Sequence, residues 1–437
     1  MRLLSLSPRA LRDVAMPTAT ELAARATRLV SDRVGIITEV WFEDLAAEEP
    51  AVHWAFSRPS NVDALVDQPA LNRGLAASVD PGRAVMKAIG ESVERYCSAL
   101  YDESTFRFAT CEELGDEAVP PPSFALFSER QYAEPGFPFA PLTAQTPLNW
   151  VQGYSLVTDR PVYVPAAFVY VPYRTDILSE PVVHDPISTG LACAPNVATA
   201  IYKGILEVVE RDAFMIVWQN RLARPGVNLE SVDHPPVQRL LETIEGLPVR
   251  CHAAVLTMDI AVPVILVALM CDAGRPPRTV IGLGTDLDPV RALSLALEEA
   301  LLGFCGIGRL AAQWTDYDPK ADYSDVVTLE LHAIAHAIVP QLRSSVEFLA
   351  RPSEILSIGE LPNAASGSSV ANVRTVVEWL GEKGFDVVVV DLTTADVDEV
   401  GFRVIRAVVP DLQPLDNNHA RRHLGGRRLY EAVSYTH

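Results

Sequence analysis

The sequence predicts an α/β fold, mixed α+β in arrangement, with helices packed on β-sheets. Three observations predict it. Helically periodic blocks alternate from Leu71 onward with β-branched runs, among them 162–173, 263–270 and 386–392. A chain of 437 residues, 49% hydrophobic and 21% charged, has the length and composition to bury a substantial core. Three of the helical blocks also resemble one another, and each delivers a glutamate.

In chain order, the first 65 residues combine a helical pattern around 20–30, a strand-like run over 34–42 and a loop reaching Pro59 and Asn61. They are expected to form an N-terminal appendage (1–65) to a main domain (66–437). Proline-rich stretches at 120–122 and 135–147 mark a surface connection between the first helical block and the next strands. The apolar stretches 262–271 and 387–390 fall short of the roughly 18 residues that a membrane span needs, and read as buried strands.

Charge narrows the function classes. A formal charge of −20 repels phosphate backbones and anionic lipid, so nucleic acid and membrane surfaces are disfavoured partners. Arg2, Arg9 and Arg12 interrupt the N-terminus before an apolar signal region can develop, and the cytoplasm is the expected location. The six cysteines (97, 111, 193, 251, 271 and 305) lie far apart with no C-x-x-C pair, which favours buried free thiols over zinc or redox chemistry.

The repeated helices carry the chemistry. The block from Asp80-Pro81 to Glu91 aligns without gaps with that from Asp288-Pro289 to Glu299, sharing Asp, Pro, Arg, two Ala and the final Glu. A third block, Ala200 to Glu207, has the same Ala-to-Glu spacing, and its Lys203 matches Lys87 of the first. Asp-Pro supplies an N-cap and an N1 proline in two blocks, and Asn196 can cap the middle one.

In the first two helices the glutamate begins E-x-x-E-R: Glu91, Glu94 and Arg95, then Glu207, Glu210 and Arg211. Spacing of i to i+3 sets both carboxylates on one face. One isolated copy reads most simply as a solvated face. Here, however, the glutamates sit among Val85, Ile89 and Val93, or Ile205, Leu206, Val208 and Val209, and carboxylates on buried helices need a cation. Magnesium suits such a set, since it takes oxygen donors and fills its other positions with water and phosphate.

Other catalytic templates fail. There is no G-x-x-x-x-G-K-[ST] loop, Gly282 and Gly284 lack the third glycine of a dinucleotide fingerprint, and the serines at 366–369 read as a flexible turn. His332 and His336 stand i, i+4 apart without the glutamate of a zinc protease, and read as core or surface histidines.

These motifs resemble those of the YcaO family. Ala84 through Glu91, Glu94, Arg95 and Tyr96 resembles its first nucleotide motif; Ser188-Thr189-Gly190 to Asn196 running on to Glu207, Glu210, Arg211 and Asp212 resembles the second; and Asp288-Pro289 to Glu299-Ala300 resembles the third. Stretches at 150–165, 391–394 and 408–415 are similar to the azoline-forming subgroup, the cyclodehydratase D-protein type. The resemblance covers roughly residues 70 to 430.

It implies a YcaO-type ATP-binding fold in residues 66–437, with ATP and Mg2+ as cofactors. Cys, Ser or Thr of a ribosomally made precursor peptide would become thiazoline or oxazoline through phosphorylation of the amide oxygen. By that resemblance Glu91, Glu94, Glu207 and Glu210 hold magnesium, Arg211 contacts phosphate, and Asn196 and Glu299 complete the nucleotide pocket. Arg73 stands where a phosphate-binding lysine is common. The resemblance assigns no further catalytic residue. It also implies a leader-binding partner in trans, either a ubiquitin-activating-like or a peptide-recognition subunit, and allows a homodimer.

Three positions depart from the family pattern: Leu295 replaces a frequent arginine, Leu302 a frequent glutamine, and Lys87 a frequent serine. The chain also ends without a proline-rich tail. These departures keep two alternatives open: another ATP-driven amide modification, giving an amidine or thioamide, or a catalytically silent scaffold subunit.

Overall fold

A computed structural model of the chain describes residues 6–45, 49–61, 74–271, 276–314 and 316–434. Helix α1 (Ala19–Thr27) opens on a capping box in which the Thr18 hydroxyl accepts from the Glu21 amide and the Glu21 carboxylate accepts from the Thr18 amide. Strands β1 (Ile37–Phe42), β2 (His53–Pro59) and β3 (Gly74–Ser78) pair antiparallel in that order. Helix α2 (Pro81–Ala99) follows β3 and lies on β2 and β3, where Ala84 and Ala88 meet Ala55 and Ala76. The sheet therefore draws β1 and β2 from the first 65 residues and β3 from the remainder, because a helix face of this width needs neighbouring strands to cover it.

The second unit contains β4 (Arg107–Ala109), β5 (Leu148–Ser155), β6 (Arg160–Pro165) and β7 (Leu191–Ala194), followed by helix α3 (Val197–Asn220). The third contains β8 (Gly226–Val227), α4 (Pro235–Glu245), β9 (Val249–Val255), β10 (Val264–Cys271) and β11 (Thr279–Thr285), followed by α5 (Pro289–Gln313). The chain finishes with α6 (Leu329–Ile338), β12 (Ile355–Leu356), α7 (Ser369–Glu382), β13 (Val388–Asp391), β14 (Arg403–Val408) and α8 (Arg428–Ser434). The second sheet runs β4-β5-β13-β14-β7 with β6 paired to β5, and the third runs β11-β10-β9-β8-β12.

Helices and sheets alternate around a closed ring. The alternating side chains of β13 and β14 divide between two cores, one shared with α2 (Val388, Val390, Val404) and one with α3 (Val389, Ile405, Ala407). Strand β10, buried along its whole length, does the same: Ile265, Val267 and Leu269 face α4 and α5, and Val264, Leu266 and Ala268 belong to the core of α3. Trp54 and Ala77 of the first sheet join the core of α5, which closes the circuit.

The run over 162–173 is a strand only as far as Pro165, then turns through Ala166–Phe168. Pro161, Pro165 and Pro172 cannot donate to a ladder, which confines this stretch to a short edge. His332 and His336 lie on α6, and burial lowers both pKa values to about 4. All six cysteines are free thiols, five of them buried. No described helix is long and apolar enough to cross a membrane.

Candidate functional site: three carboxylate-bearing helices around one cavity

Each strand-to-helix junction has the same parts. Asp80, Asn196 and Asp288 cap α2, α3 and α5, their Oδ1 atoms accepting from the amides of Arg83 (2.6 Å), Thr199 (2.8 Å) and Val290 (2.9 Å). A glycine in or just before the strand lets each helix come close. A Cβ on Gly74 would strike the Ala88 carbonyl, one on Gly282 the backbone at Ala296 and Ala300, and the Gly190 carbonyl lies against Gly204.

That approach puts Glu91, Glu207 and Glu299 within reach of their own strands. Their carboxylates accept from the amides of Leu75 (2.9 Å), Gly190 (2.9 Å) and Leu283 (2.7 Å). One turn further, the second glutamates reach the next unit. Glu94 accepts from the Cys193 amide at 2.6 Å, and Glu210 from the Thr285 hydroxyl at 2.8 Å. Helix α5 carries Leu302 at the corresponding position. There Glu298, 2% exposed, accepts from the Ser78 hydroxyl at 3.1 Å and pairs with Lys87 (3.1 Å) and Arg83 (3.3 Å), returning the linkage to the first unit.

Glu91, Glu94, Glu207, Glu210, Glu299 and Arg211 line one cavity of about 1340 Å³. Burial pushes Glu94 up to about 8 and Glu210 to about 7, with neighbouring carboxylates adding to the rise, and it raises Glu91 as well. Burial pulls Arg211 down, but Glu210, Glu299 and Glu207 together leave it raised. Its contacts are long, 3.4 Å to Glu210 and 4.0 Å to Glu207, as is that of Arg95 to Glu91 at 3.5 Å; neither arginine Nε has a partner among the described residues. Lys203 lines the same cavity, where the Glu94 charge opposes the burial that lowers its pKa, while its counterpart Lys87 pairs with Glu298.

This arrangement fits a polyphosphate bound with magnesium. Crowded carboxylates that protonate readily call for cations, while donors left free on arginine suit phosphate oxygens. Among the described residues no group of three or more acidic, histidine or cysteine side chains could hold a metal ion unaided. A magnesium site built from one or two carboxylates and completed by phosphates needs none.

The remaining expected site residues fall elsewhere. Asn196 caps α3 while its Nδ2 meets the Met16 sulfur at 3.3 Å. Arg73, next to Gly74, lies outside the described residues. The serines at 366–369, expected as a flexible turn, instead cap α7 through Ser368, and Ser366 binds Asn372. Ser366 and Ser369 line the cavity, as do Leu295 and Leu302. Glu298 was not anticipated, although a Glu-Glu doublet inside an apolar helix is itself a sign of a buried charge.

A family model described as YcaO cyclodehydratase, ATP- and Mg2+-binding, matches residues 74–413. The chain belongs to the YcaO family. The YcaO match begins at β3 and spans all three carboxylate helices. An uncharacterized protein from Methanothermobacter thermautotrophicus is 26% identical over 288 residues, 65% of this chain and 70% of that protein. A protein encoded in the tfuA 3′ region of Rhizobium leguminosarum bv. trifolii is 26% identical over 184 residues, 40% of this chain and 42% of its own length.

Among solved structures, a heterocyclase in complex with substrate and cofactor aligns with TM-score 0.76 at 22% identity, over 95% of this chain and 57% of that one. The heterocyclase TruD gives 0.66 at 23% identity, over 95% and 53%. YcaO from Methanopyrus kandleri, bound with AMPPCP and Mg2+, gives 0.66 at 19% identity, over 92% and 95%. The chain thus spans little more than half the length of the two heterocyclases and nearly all of the Methanopyrus protein. At these identities the likeness establishes the shared fold.

Proposed function

We propose that this YcaO protein is the ATP-using part of a cyclodehydratase, converting Cys, Ser or Thr of a ribosomally made precursor peptide to thiazoline or oxazoline. A leader-binding partner protein would present the peptide in trans. The observation that supports this most is the meeting of Glu91, Glu94, Glu207, Glu210 and Glu299 with two loosely paired arginines in one cavity, a donor set suited to magnesium and polyphosphate.

In this reading the peptide's thiol or hydroxyl adds to the preceding carbonyl, ATP converts the resulting oxygen into departing phosphate, and loss of the nitrogen-bound proton completes the C=N bond. The peptide loses one water equivalent per ring. Glu91, Glu94, Glu207 and Glu210 hold magnesium, and Arg211 presents its free Nε edge to phosphate. Glu299 and Asn196 border the nucleotide, Asn196 by fixing the start of α3 and keeping an amide that a ligand oxygen can draw from Met16. Arg73 adds a phosphate cation. The chain's contribution is positioning and a preorganised field, as in other phosphoryl transfers.

Incubation with candidate peptide, partner, ATP and Mg2+, read by mass, tests the proposal. Loss of one water per ring is expected. Exchange of an amide oxygen for sulfur or nitrogen would shift the assignment to thioamide or amidine formation, and failure to bind ATP would sink it.

A further inference from the structure

Arg406, on β14, is only 5% exposed and has no carboxylate partner among the described residues. Its Nε donates to the Phe168 carbonyl at 3.0 Å, and its Nη1 has no acceptor among the described residues. A buried guanidinium in this state is costly unless something compensates it. Burial lowers its pKa to about 10; the Glu207 charge opposes that shift and the Arg95 charge adds to it.

Arg406 also lines a second cavity of about 90 Å³, with Thr189, His184, Gln413 and Asp411, whose carboxyl burial shifts toward its neutral form. That is roughly three water volumes, enough for a small oxyanion and far too little for a nucleotide. Burial lowers the His184 pKa to about 3, so His184 is neutral and Arg406 supplies the positive charge of this wall. Thr189 lines both cavities, so the small one adjoins the large one.

We propose that Arg406 and this side cavity form a binding site for inorganic phosphate, separate from the nucleotide's own phosphate contacts. Arg406 supplies the charge and the unused donor, and Thr189 a hydroxyl on the dividing wall. That the phosphate is the product of catalysis rests on the proposed function; the site itself does not.

Thermal melting in phosphate-free buffer and with added inorganic phosphate tests the site. The wild-type melting temperature should rise with phosphate, and the rise should persist when the non-hydrolysable nucleotide AMPPCP and Mg2+ are saturating. Arg406→Met should lose the phosphate response yet melt no lower than wild type without phosphate, because an uncompensated charge has been removed. Arg406→Lys should retain a weakened response, and Arg211→Met a full one. A wild-type response that AMPPCP abolishes, an unchanged response in Arg406→Met, or no wild-type response would each overturn the proposal. A phosphate response without any peptide conversion would sink the proposed reaction and leave the site standing.

Discussion

Helices α3 and α5 share a frame and differ in what it carries. Each has an Asx cap, a glycine in or just before the strand beneath it and a glutamate held by a backbone amide there. At equivalent positions α3 then has Lys203, Glu210 and Arg211, whereas α5 has Leu295, Leu302 and Gly303. The parts present in both are those that set helix against strand, and the parts present in one alone are the charges. The frame is therefore architectural, and the charge on α2 and α3 is what this cavity adds to it.

If that division is right, removing charge from α3 should do the greatest harm. Glu207→Gln and Glu210→Gln are each expected to lower ATP turnover at least a hundredfold, about 2.7 kcal/mol of transition-state stabilisation, with little change in melting. Glu299→Gln should cost about tenfold in the same steady-state assay. Equal losses at all three positions would break the comparison.

Arg95 and Arg211 sharpen it further, since both make long contacts and neither Nε has a partner among the described residues. Arg211→Lys keeps the charge but loses the planar fork, and should reduce turnover about tenfold, or ~1.4 kcal/mol. Arg95→Lys should mainly move the melting temperature. Kinetics and melts on the two variants decide whether these similar environments have different roles.

Glu298 tests the linkage that α5 makes where the other two helices carry the second glutamate of their E-x-x-E pairs. Glu298→Gln leaves Lys87 and Arg83 without their buried partner and should destabilise the fold by about 1–3 kcal/mol in a denaturant titration. Turnover should fall less than for Glu210→Gln.

A further test concerns pH. Glu94 and Glu210 release their protons near 8 and 7 when folded and near 4.5 when unfolded, so between those values the folded chain holds more protons. Their favourable contribution is complete below about 4.5 and disappears as pH rises through 7 and 8. Melting of the ligand-free protein should accordingly decline between about pH 5 and 8. Mg2+ with ATP should flatten that slope, as should Glu210→Gln.

Much of this was legible because helix repeats are written linearly. Asp80-Pro81 and Asp288-Pro289 announce their own caps, and E-x-x-E-R fixes two carboxylates to one face by spacing alone. What the sequence hid depends on distant partners. Glu298 meets Ser78, and Glu94 meets Cys193, through a ring closure that no local pattern encodes. The 366–369 serines looked like a turn because the cap of a helix and a loop use the same residues. Arg406 sits in a β-branched run where nothing local distinguishes a buried guanidinium from an edge one.

The ring of cross-unit bonds has a consequence for the chain as it folds. Glu94 needs Cys193, Glu210 needs Thr285 and Glu298 needs Ser78, so the full set of carboxylates has its partners only once all three sheets have formed. A partly folded chain would present only scattered acidic side chains to a nucleotide. Binding would then draw the equilibrium toward the completed structure, making nucleotide capture a report that the last of three widely separated segments has arrived.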